Sequence, residues 1–456
     1  MLPMTGDWSP GRNLIGAVAL AIADINADPG ILGGKRLSFA PVRDDGCDRW
    51  KALGACSDMI EEDGPIIGLI GPGCSGGCES TAALSVAKNL PQISPFCGSP
   101  TLSDKKNFPN FVRTTSPYSK WASAIVALMR WAQWTCISVI RDQSAIMALS
   151  AASLQSSMTG SGLTVAIDVE FVADQFQPSA LDRIRAAGAH IVMVFAYPSD
   201  YVAIALAARA SKMTVGWAWV GIDMVADAVL LAKKHGQRDA QEAMQGWLYL
   251  EPHSAANGSF FDRVRRASTD TLGLEMAQDA TVHAFAANLY DALFLFARAA
   301  GRHPELLLNG RGMVEAMKNL TFDGVTGHVQ LDSDGDLVET IRIASCIFRD
   351  SELRSSQRVA VYNRLSRQLT WEISEVVWPG QTTVRPFGNP LADETNQLST
   401  RYQVSQVCVR LFESVRPLYR RADYHSCGPC LHHACALCHC GLLHGQNERQ
   451  RCCMKC

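Results

Sequence analysis

The chain has 456 residues, of which 47% are apolar, and a formal net charge of −2. That length exceeds a single hydrophobic core, so two or three units are expected. The charge gives no electrostatic case for nucleic acid or an anionic membrane surface, and no stretch reaches the roughly 18 uninterrupted apolar residues of a membrane helix.

Met1 to Gly11 has neither a basic start nor an apolar stretch, so no signal peptide is read there. Leu14 to Asn26 has helical spacing, with Ile15, Ala19, Ile22 and Ile25 along one face. Arg36 to Val42 reads as a strand and Ala52 to Glu62 as a helix. Ile66 to Ile70 is a β-branched run suited to a buried parallel strand. It leads into the turn Gly71-Pro72-Gly73-Cys74-Ser75-Gly76-Gly77, with a helix expected to open near Glu79. Such a turn aims backbone N–H groups and a Ser hydroxyl at one point beside a helix N-terminus, where a carboxylate fits. The next strand, Gln92 to Pro95, delivers a second turn, Cys97-Gly98-Ser99-Pro100. Two such turns at neighbouring strand ends make a ligand crevice.

A second set of alternations follows. Strands are expected at Thr135–Ile140, Val165–Phe171, Ile191–Phe195 and Val215–Gly221, with helices at Ala145–Met158, Leu181–Ala187 and Tyr201–Lys212. Helices at Thr281–Ala300 and Gly312–Asn319 then precede a hairpin through Gly327 to Leu337. Within the long helix, Asn288, Asp291 and Arg298 make it amphipathic rather than membrane-spanning. Two wound α/β sheets with a late return to the first give a bilobed binding fold, hinged near Pro117 and Glu251. Asp332-Ser333-Asp334-Gly335-Asp336 is superficially a calcium loop, but no glutamate stands at loop position twelve, and it reads as a hairpin turn.

Cysteine usage bears on compartment. Without it the chain reads as soluble and intracellular. Cys47, Cys56, Cys74 and Cys78 sit two on each side of a strand, a pattern for two loop-closing disulfides in an oxidising compartment. Asn257-Gly258-Ser259 and Asn319-Leu320-Thr321 are acceptor triplets for glycosylation, which also arise by chance in chains this long. Together they suggest an extracellular origin, with the sequence a fragment lacking its signal peptide.

An ordered series of motifs carries a resemblance. These are Gly6-Asp7-Trp8-Ser9-Pro10-Gly11, Asp45-Gly46-Cys47-Asp48, Gly71-Pro72-Gly73-Cys74-Ser75, Ser99-Pro100-Thr101-Leu102-Ser103-Asp104 and Phe108-Pro109-Asn110-Phe111-Val112-Arg113-Thr114. Ala196-Tyr197-Pro198, Leu289-Tyr290-Asp291-Ala292, Phe322-Asp323-Gly324-Val325-Thr326-Gly327 and Trp378-Pro379-Gly380 continue it. Over residues 6–387 the chain resembles the receptor ligand-binding region of the natriuretic-peptide-receptor type. This is the Venus flytrap module related to type I periplasmic binding proteins, and the chain is most similar to the ectodomain of type B GABA receptors, class C G-protein-coupled receptors.

The resemblance implies an α/β fold of two lobes, each a wound parallel sheet flanked by helices. Lobe 1 would take residues 1–116 and 251–320, and lobe 2 residues 117–250 and 321–387. It implies a membrane receptor whose extracellular lobes close on a small amino-acid-like ligand, with a homo- or heterodimer formed through lobe 1. Trp8 would pack on the ligand, Ser75 would hold its carboxylate, Tyr197 would reach across from lobe 2, and Cys47 and Cys74 would pair. The competing reading of Ser75 is a cap for the following helix, and the anion-binding role is preferred.

The departures matter too. Gly98 stands where the GABA-binding subunit has a second ligand serine, with Ser99 beside it. Thr115 replaces a ligand histidine, Ile222 a tryptophan, and the acidic ligand residue falls near Phe285. Asp223, Asp279 or His283 would compensate. A small carboxylate fits this set better than GABA itself. The alternatives are a guanylyl-cyclase-type receptor ectodomain and a free amino-acid-binding protein serving a transporter.

No nucleotide loop, zinc helix or nucleophile elbow is present, so neither catalysis nor a cofactor is expected. From residue 388 the alternation fades, and between His425 and Cys456 there are eight cysteines and five histidines. A zinc module, a disulfide segment and a read-through artefact all fit that tail.

Overall fold

The computed structural model describes residues 1–6, 8–276, 281–349 and 352–386, with side chains left aside at 348–349 and 352–356. The Cys-rich tail and Asp279 lie outside the described residues.

The first lobe opens with α1 (Ile15–Ala27), the short α2 (Pro29–Leu32) and α3 (Arg49–Glu62). Then come β1 (Leu69–Ile70), α4 (Ser75–Ala87), β2 (Gln92–Ser94) and β3 (Phe111–Arg113), forming a parallel sheet in the order β1-β2-β3. Asp48 caps α3 through bonds of 2.8 Å from the N–H groups of Trp50 and Lys51, which sets its start ahead of the apolar spacing. Gly77 lets α4 press against α3, because a Cβ there would lie 2.9 Å from that of Ala52. The chain returns to this lobe with α11 (Gly258–Leu272), α12 (Ala286–Arg302) and α13 (Gly310–Lys318).

Between these parts runs the second lobe. It comprises α5 (Tyr118–Ala132), β4 (Cys136–Asp142), α6 (Ala145–Thr159), β5 (Thr164–Phe171), α7 (Ser179–Ala187), β6 (Ile191–Phe195), α8 (Pro198–Ala210), β7 (Ala218–Gly221), α9 (Met224–Lys234), α10 (Arg238–Ala243) and β8 (Leu248–Pro252). Every residue of β6 is buried, as a central parallel strand requires, whereas the edge strand β5 alternates along most of its length. The sheet order is β13 (Gln368–Trp371), β12 (Glu352–Asn363), β11 (Thr340–Arg349), β8, β7, β6, β4, β5. Five strands are parallel, and β11, β12 and β13 add an antiparallel extension that the alternation did not announce. Trp121, Trp134, Trp219 and Trp247 are fully buried in this lobe.

Three details differ from expectation. Arg36–Val42 joins no ladder, and its neighbourhood offers only a bridge between Leu2 and Asp44. The hairpin β9 (Thr321–Asp323) and β10 (His328–Gln330), expected in lobe 2, belongs with lobe 1: Val329, Leu331 and Leu337 pack with Ile93 and Val112. The crossing therefore comes at Glu339–Thr340, beside those at Ser116–Pro117 and Pro252–His253. Finally, Cys56 is a buried free thiol, and the bridges are Cys47–Cys74 and Cys78–Cys97. Cys56 lies on the buried face of α3 in an apolar cluster with Met1, Met59, Leu69 and Leu90, whereas Cys78 in the first turn of α4 reaches the neighbouring strand-end turn.

Candidate functional site

Both disulfides converge on the two expected turns. Cys47–Cys74 ties the loop after residue 44 to the residue that precedes α4, and Cys78–Cys97 ties the first turn of α4 to the turn carrying Gly98 and Ser99. Buried Asp45 accepts from the N–H groups of Gly73 at 2.8 Å and Cys47 at 2.9 Å, which shapes the first turn. Ser94 Oγ shapes the second by accepting from Phe96 and Cys97 at 3.2 Å each. Arg113, fully buried, donates to the carbonyls of Cys97 and Ser99 from below.

Here Ser75 opens α4, earlier than expected, and its Oγ accepts from the Ser99 N–H at 3.1 Å. The first-turn N–H groups of such a helix carry partial positive charge and have no intrahelical acceptor. Ser99 is buried, and its hydroxyl donates to Glu79 at 2.9 Å, itself paired with Arg49 at 2.8 Å. Its hydroxyl is thus turned into the lobe while Ser75 stays half-buried at the rim.

Gly98 explains one departure from the resembled site. A Cβ there would lie 3.1–3.4 Å from three ring atoms of Tyr118, so the ring occupies the space a serine would use. The Tyr118 hydroxyl then donates to Asp223 at 2.9 Å. Tyr118 was not singled out from the sequence, where only its place just after Pro117 marked it as a hinge residue.

Trp8 is buried in an edge-on cluster with Phe96, His283 and Phe285, at centroid distances of 5.7, 5.7 and 6.1 Å. Its Nε1–H donates across the lobes to Asp227 in α9 at 3.0 Å. His283 faces the other oxygen of Asp227 at 3.4 Å. A cavity of ≈ 80 Å³ between the lobes is lined by Trp8, Asp223, Asp227, Glu251, His283 and Arg342, among others. Burial pushes the Asp223 carboxyl up to about 8, and the charges of Asp227 and Glu251 add to this against the Tyr118 hydrogen bond. Glu251 is paired with Arg342 at 2.7 Å. Asp227 was missed from the sequence, although its spacing of four residues from Asp223 places both on one helix face.

Of the expected residues, Trp8, Asp223 and His283 line this cavity, whereas Ser75, Gly98, Ser99, Thr115, Ile222 and Tyr197 lie apart from its lining. Thr115 is buried at the hinge, its carbonyl accepting from Leu337 at 3.3 Å. Ile222 is buried, with its N–H donating to the Tyr201 hydroxyl at 3.1 Å. Tyr197 precedes α8, half-buried against the second-lobe core. The Asp227 carboxylate and the His283 imidazole, with the largely protonated Asp223 beside them as a hydrogen-bonding group, suit recognition of a cation in a small aromatic-walled space, while the α4 terminus suits an anion.

A two-lobed α/β fold of parallel sheets flanked by helices, with a polar, aromatic-walled cavity between the lobes, is the architecture of the type I periplasmic-binding-protein class. Residues 14–346 match the receptor family ligand binding region, and the chain belongs to that family. Among its relatives, guanylate cyclase 32E of Drosophila melanogaster is 24% identical over 351 residues, covering 72% of this chain and 29% of the relative. The type B gamma-aminobutyric acid receptor subunit 1 of Mus musculus is 23% identical over 453 residues, covering 92% of this chain and 44% of the relative. The speract receptor of Strongylocentrotus purpuratus is 35% identical over 130 residues, covering 28% of this chain and 11% of the relative. The chain thus spans less than half the length of each of these relatives. No described helix is long and apolar enough to cross a membrane.

Proposed function

We propose that the chain is the extracellular ligand-sensing region of a membrane receptor, binding a small amino-acid-like zwitterion between its lobes and signalling by lobe closure. The observation that carries this reading is that the two lobes carry groups of opposite character, an anion-suited helix terminus in one and an acidic cavity wall in the other. The α4 terminus with Ser75 belongs to lobe 1 and favours a carboxylate, whereas Asp227 belongs to lobe 2 and favours an ammonium, which would also draw the proton from the neighbouring Asp223. A ligand touching both sides is rewarded only when the lobes approach, so it shifts an open–closed balance toward the closed state. A likeness to the type B gamma-aminobutyric acid receptor subunit 1 supports a receptor for a small amino-acid-like ligand, and we take coupling to a G protein and a dimer through lobe 1 as part of this proposal.

The test is a thermal-shift screen of the oxidised chain against amino acids, GABA and related carboxylates. A stabilising compound whose effect disappears in both Ser75→Ala and Asp223→Asn is the expected result. A compound that still stabilises both variants would move the ligand elsewhere. The second reading, a cyclase-type receptor whose ligand is a peptide, is favoured by the likeness to guanylate cyclase 32E over 72% of this chain. It predicts silence in the small-molecule screen and a response to peptides. A free carrier protein would bind the small ligand as a monomer.

A further inference from the structure

A second cavity, of ≈ 170 Å³, lies at the back of the hinge. That is room for about five waters. His328 reaches it from the lobe 1 hairpin, Arg364 from just past the end of β12 in lobe 2, and His253, Ala255 and Glu339 from the crossings. The crossing after β8 separates it from the cleft. There the His253 N–H donates to the Thr340 carbonyl at 2.9 Å and the Ala255 N–H to the Thr326 carbonyl at 3.2 Å, so the segment runs on from the β8 ladder. Successive residues of such a segment face opposite sides. Pro252 and Ser254 accordingly line the cavity in the cleft, whereas His253 and Ala255 line this one.

The ionisable groups on its wall favour an anion. Arg364 is pinned by donating to the Leu337 carbonyl at 3.0 Å and to Asp332 at 3.3 Å, and it shares that carboxylate with Lys120, so its charge is only partly met. His253 and His328 are the other basic groups, and Glu339 is the single acid. Burial pushes the Glu339 carboxyl up to about 7, so below neutral pH it holds a proton and opposes an anion little. Burial also pushes the His253 imidazole down, with Arg342 and Arg358 adding to this, which leaves it a neutral hydrogen-bonding group. His253 Nδ1 and Glu339 Oε2 are buried and have no hydrogen-bond partner among the described residues. Buried polar atoms without partners are costly, and two of them beside one cavity mark a place where a polar occupant is missing. Leu337, Val338 and Leu365 supply an apolar wall.

We infer that this cavity is a second ligand site, taking a small carboxylate whose headgroup meets Arg364 and whose short hydrocarbon part lies against Leu337 and Leu365. An occupant there touches both lobes and the crossing whose other face lines the cleft. It therefore holds the lobes in the arrangement described and acts on cleft closure without entering the cleft. The site stands whether the cleft itself takes a zwitterion or a peptide.

The experiment uses the full oxidised chain with sodium butyrate as the probe, and sodium chloride at equal ionic strength as the reference. Amide exchange is followed by mass spectrometry. Butyrate should slow exchange at His253, Ala255 and Thr340 by about threefold or more, leave the α4 terminus unchanged, and act equally on Ser75→Ala. Ala255→Leu fills the space from an exposed position and removes no side-chain hydrogen bond. Arg364→Gln removes the charge. Each should raise the half-saturating butyrate concentration at least about tenfold. Because Arg364→Gln also gives up the bonds to Leu337 and Asp332, Ala255→Leu carries the test if that variant fails to fold. No slowing in the crossings at about 50 mM butyrate, or slowing that Ala255→Leu leaves unchanged, would overturn the inference. So would loss of the effect in Ser75→Ala, which would put the carboxylate at the α4 terminus instead.

Discussion

Glu339 sits where the chain crosses between the lobes, buried and with one oxygen, Oε1, accepting from Ser116 N–H and Trp121 Nε1–H at 3.0 Å each. Its other oxygen has no hydrogen-bond partner among the described residues. Burial pushes the carboxyl up to about 7, with these hydrogen bonds opposing. A folded-state value above the ordinary one means that the folded chain holds the proton more tightly than the unfolded chain. Stability from this group is then complete below about pH 4.5 and is lost as pH rises through about 7, by about 3 kcal/mol. Glu339→Gln keeps an acceptor and removes the titration. Urea unfolding of the variant at pH 5 and pH 8 should therefore show a smaller loss than the parent by that amount, and an identical loss would contradict the assignment. Gly98 offers a steric counterpart. In Gly98→Ala the Tyr118 ring must give way, at an expected cost of about 1–2 kcal/mol in urea unfolding. Adding Tyr118→Phe should not restore stability, since the ring remains. The absence of a serine at 98 was legible in the sequence. Its cause was not, because Tyr118 lies twenty positions away and meets Gly98 only through the hinge.

At the scale of elements, the β3 end is held by one buried ion pair. Arg113 donates to Asp336 at 2.6 Å with neither side chain exposed, and Lys120 donates to the second Asp336 oxygen at 2.6 Å. Burial pushes Asp336 up, but the two cations outweigh it and bring the carboxyl down to about 2. Lys120 also reaches Asp332 and Asp334, so the acidic turn is a cation clamp for α5 whose charge comes from a side chain. Asp336→Asn leaves Arg113 buried without its counter-charge and is expected to cost about 3–5 kcal/mol, read as a lowered urea midpoint with unchanged slope. The reading of this turn as a hairpin turn was within reach of the sequence because Asp-Gly chemistry is local. Helices and buried strands of lobe 2 were legible for the same reason: Ile191–Phe195 is apolar at every position. Arg36–Val42 was not, because a strand is a property of its neighbours as well as of its own pattern. The disulfide partner of Cys78 was likewise hidden, since Cys97 lies across a helix and a strand in sequence but against the same turn in space.

The whole molecule depends on how two lobes with separate cores share three crossings. Inter-lobe contact away from the hinge includes the bond of Trp8 to Asp227, with Met224 packed on the aromatic cluster of lobe 1. The two-lobed architecture was readable from motif order along the chain, but the cleft was read only in part. Ser75 and Trp8 were expected from the lobe 1 side, whereas Asp227 and the Glu251–Arg342 pair come from segments brought together only by the fold. If closure is a balance between states separated by a few kcal/mol, one hydrogen bond of about 1 kcal/mol is enough to move it about fivefold. Trp8→Phe keeps most of the aromatic packing and removes the donor to Asp227. Small-angle scattering of the unliganded variant should then give a larger radius of gyration than the parent, with Tm lowered by no more than a few degrees. Asp227→Asn is the companion variant: its amide oxygen still accepts from Trp8, so the radius should remain that of the parent. An equal expansion in both variants would assign closure to the carboxylate charge rather than to the indole hydrogen bond. No expansion in either would place the restraint in the crossings, where Glu339 and the Lys120–Asp336 pair join the lobes.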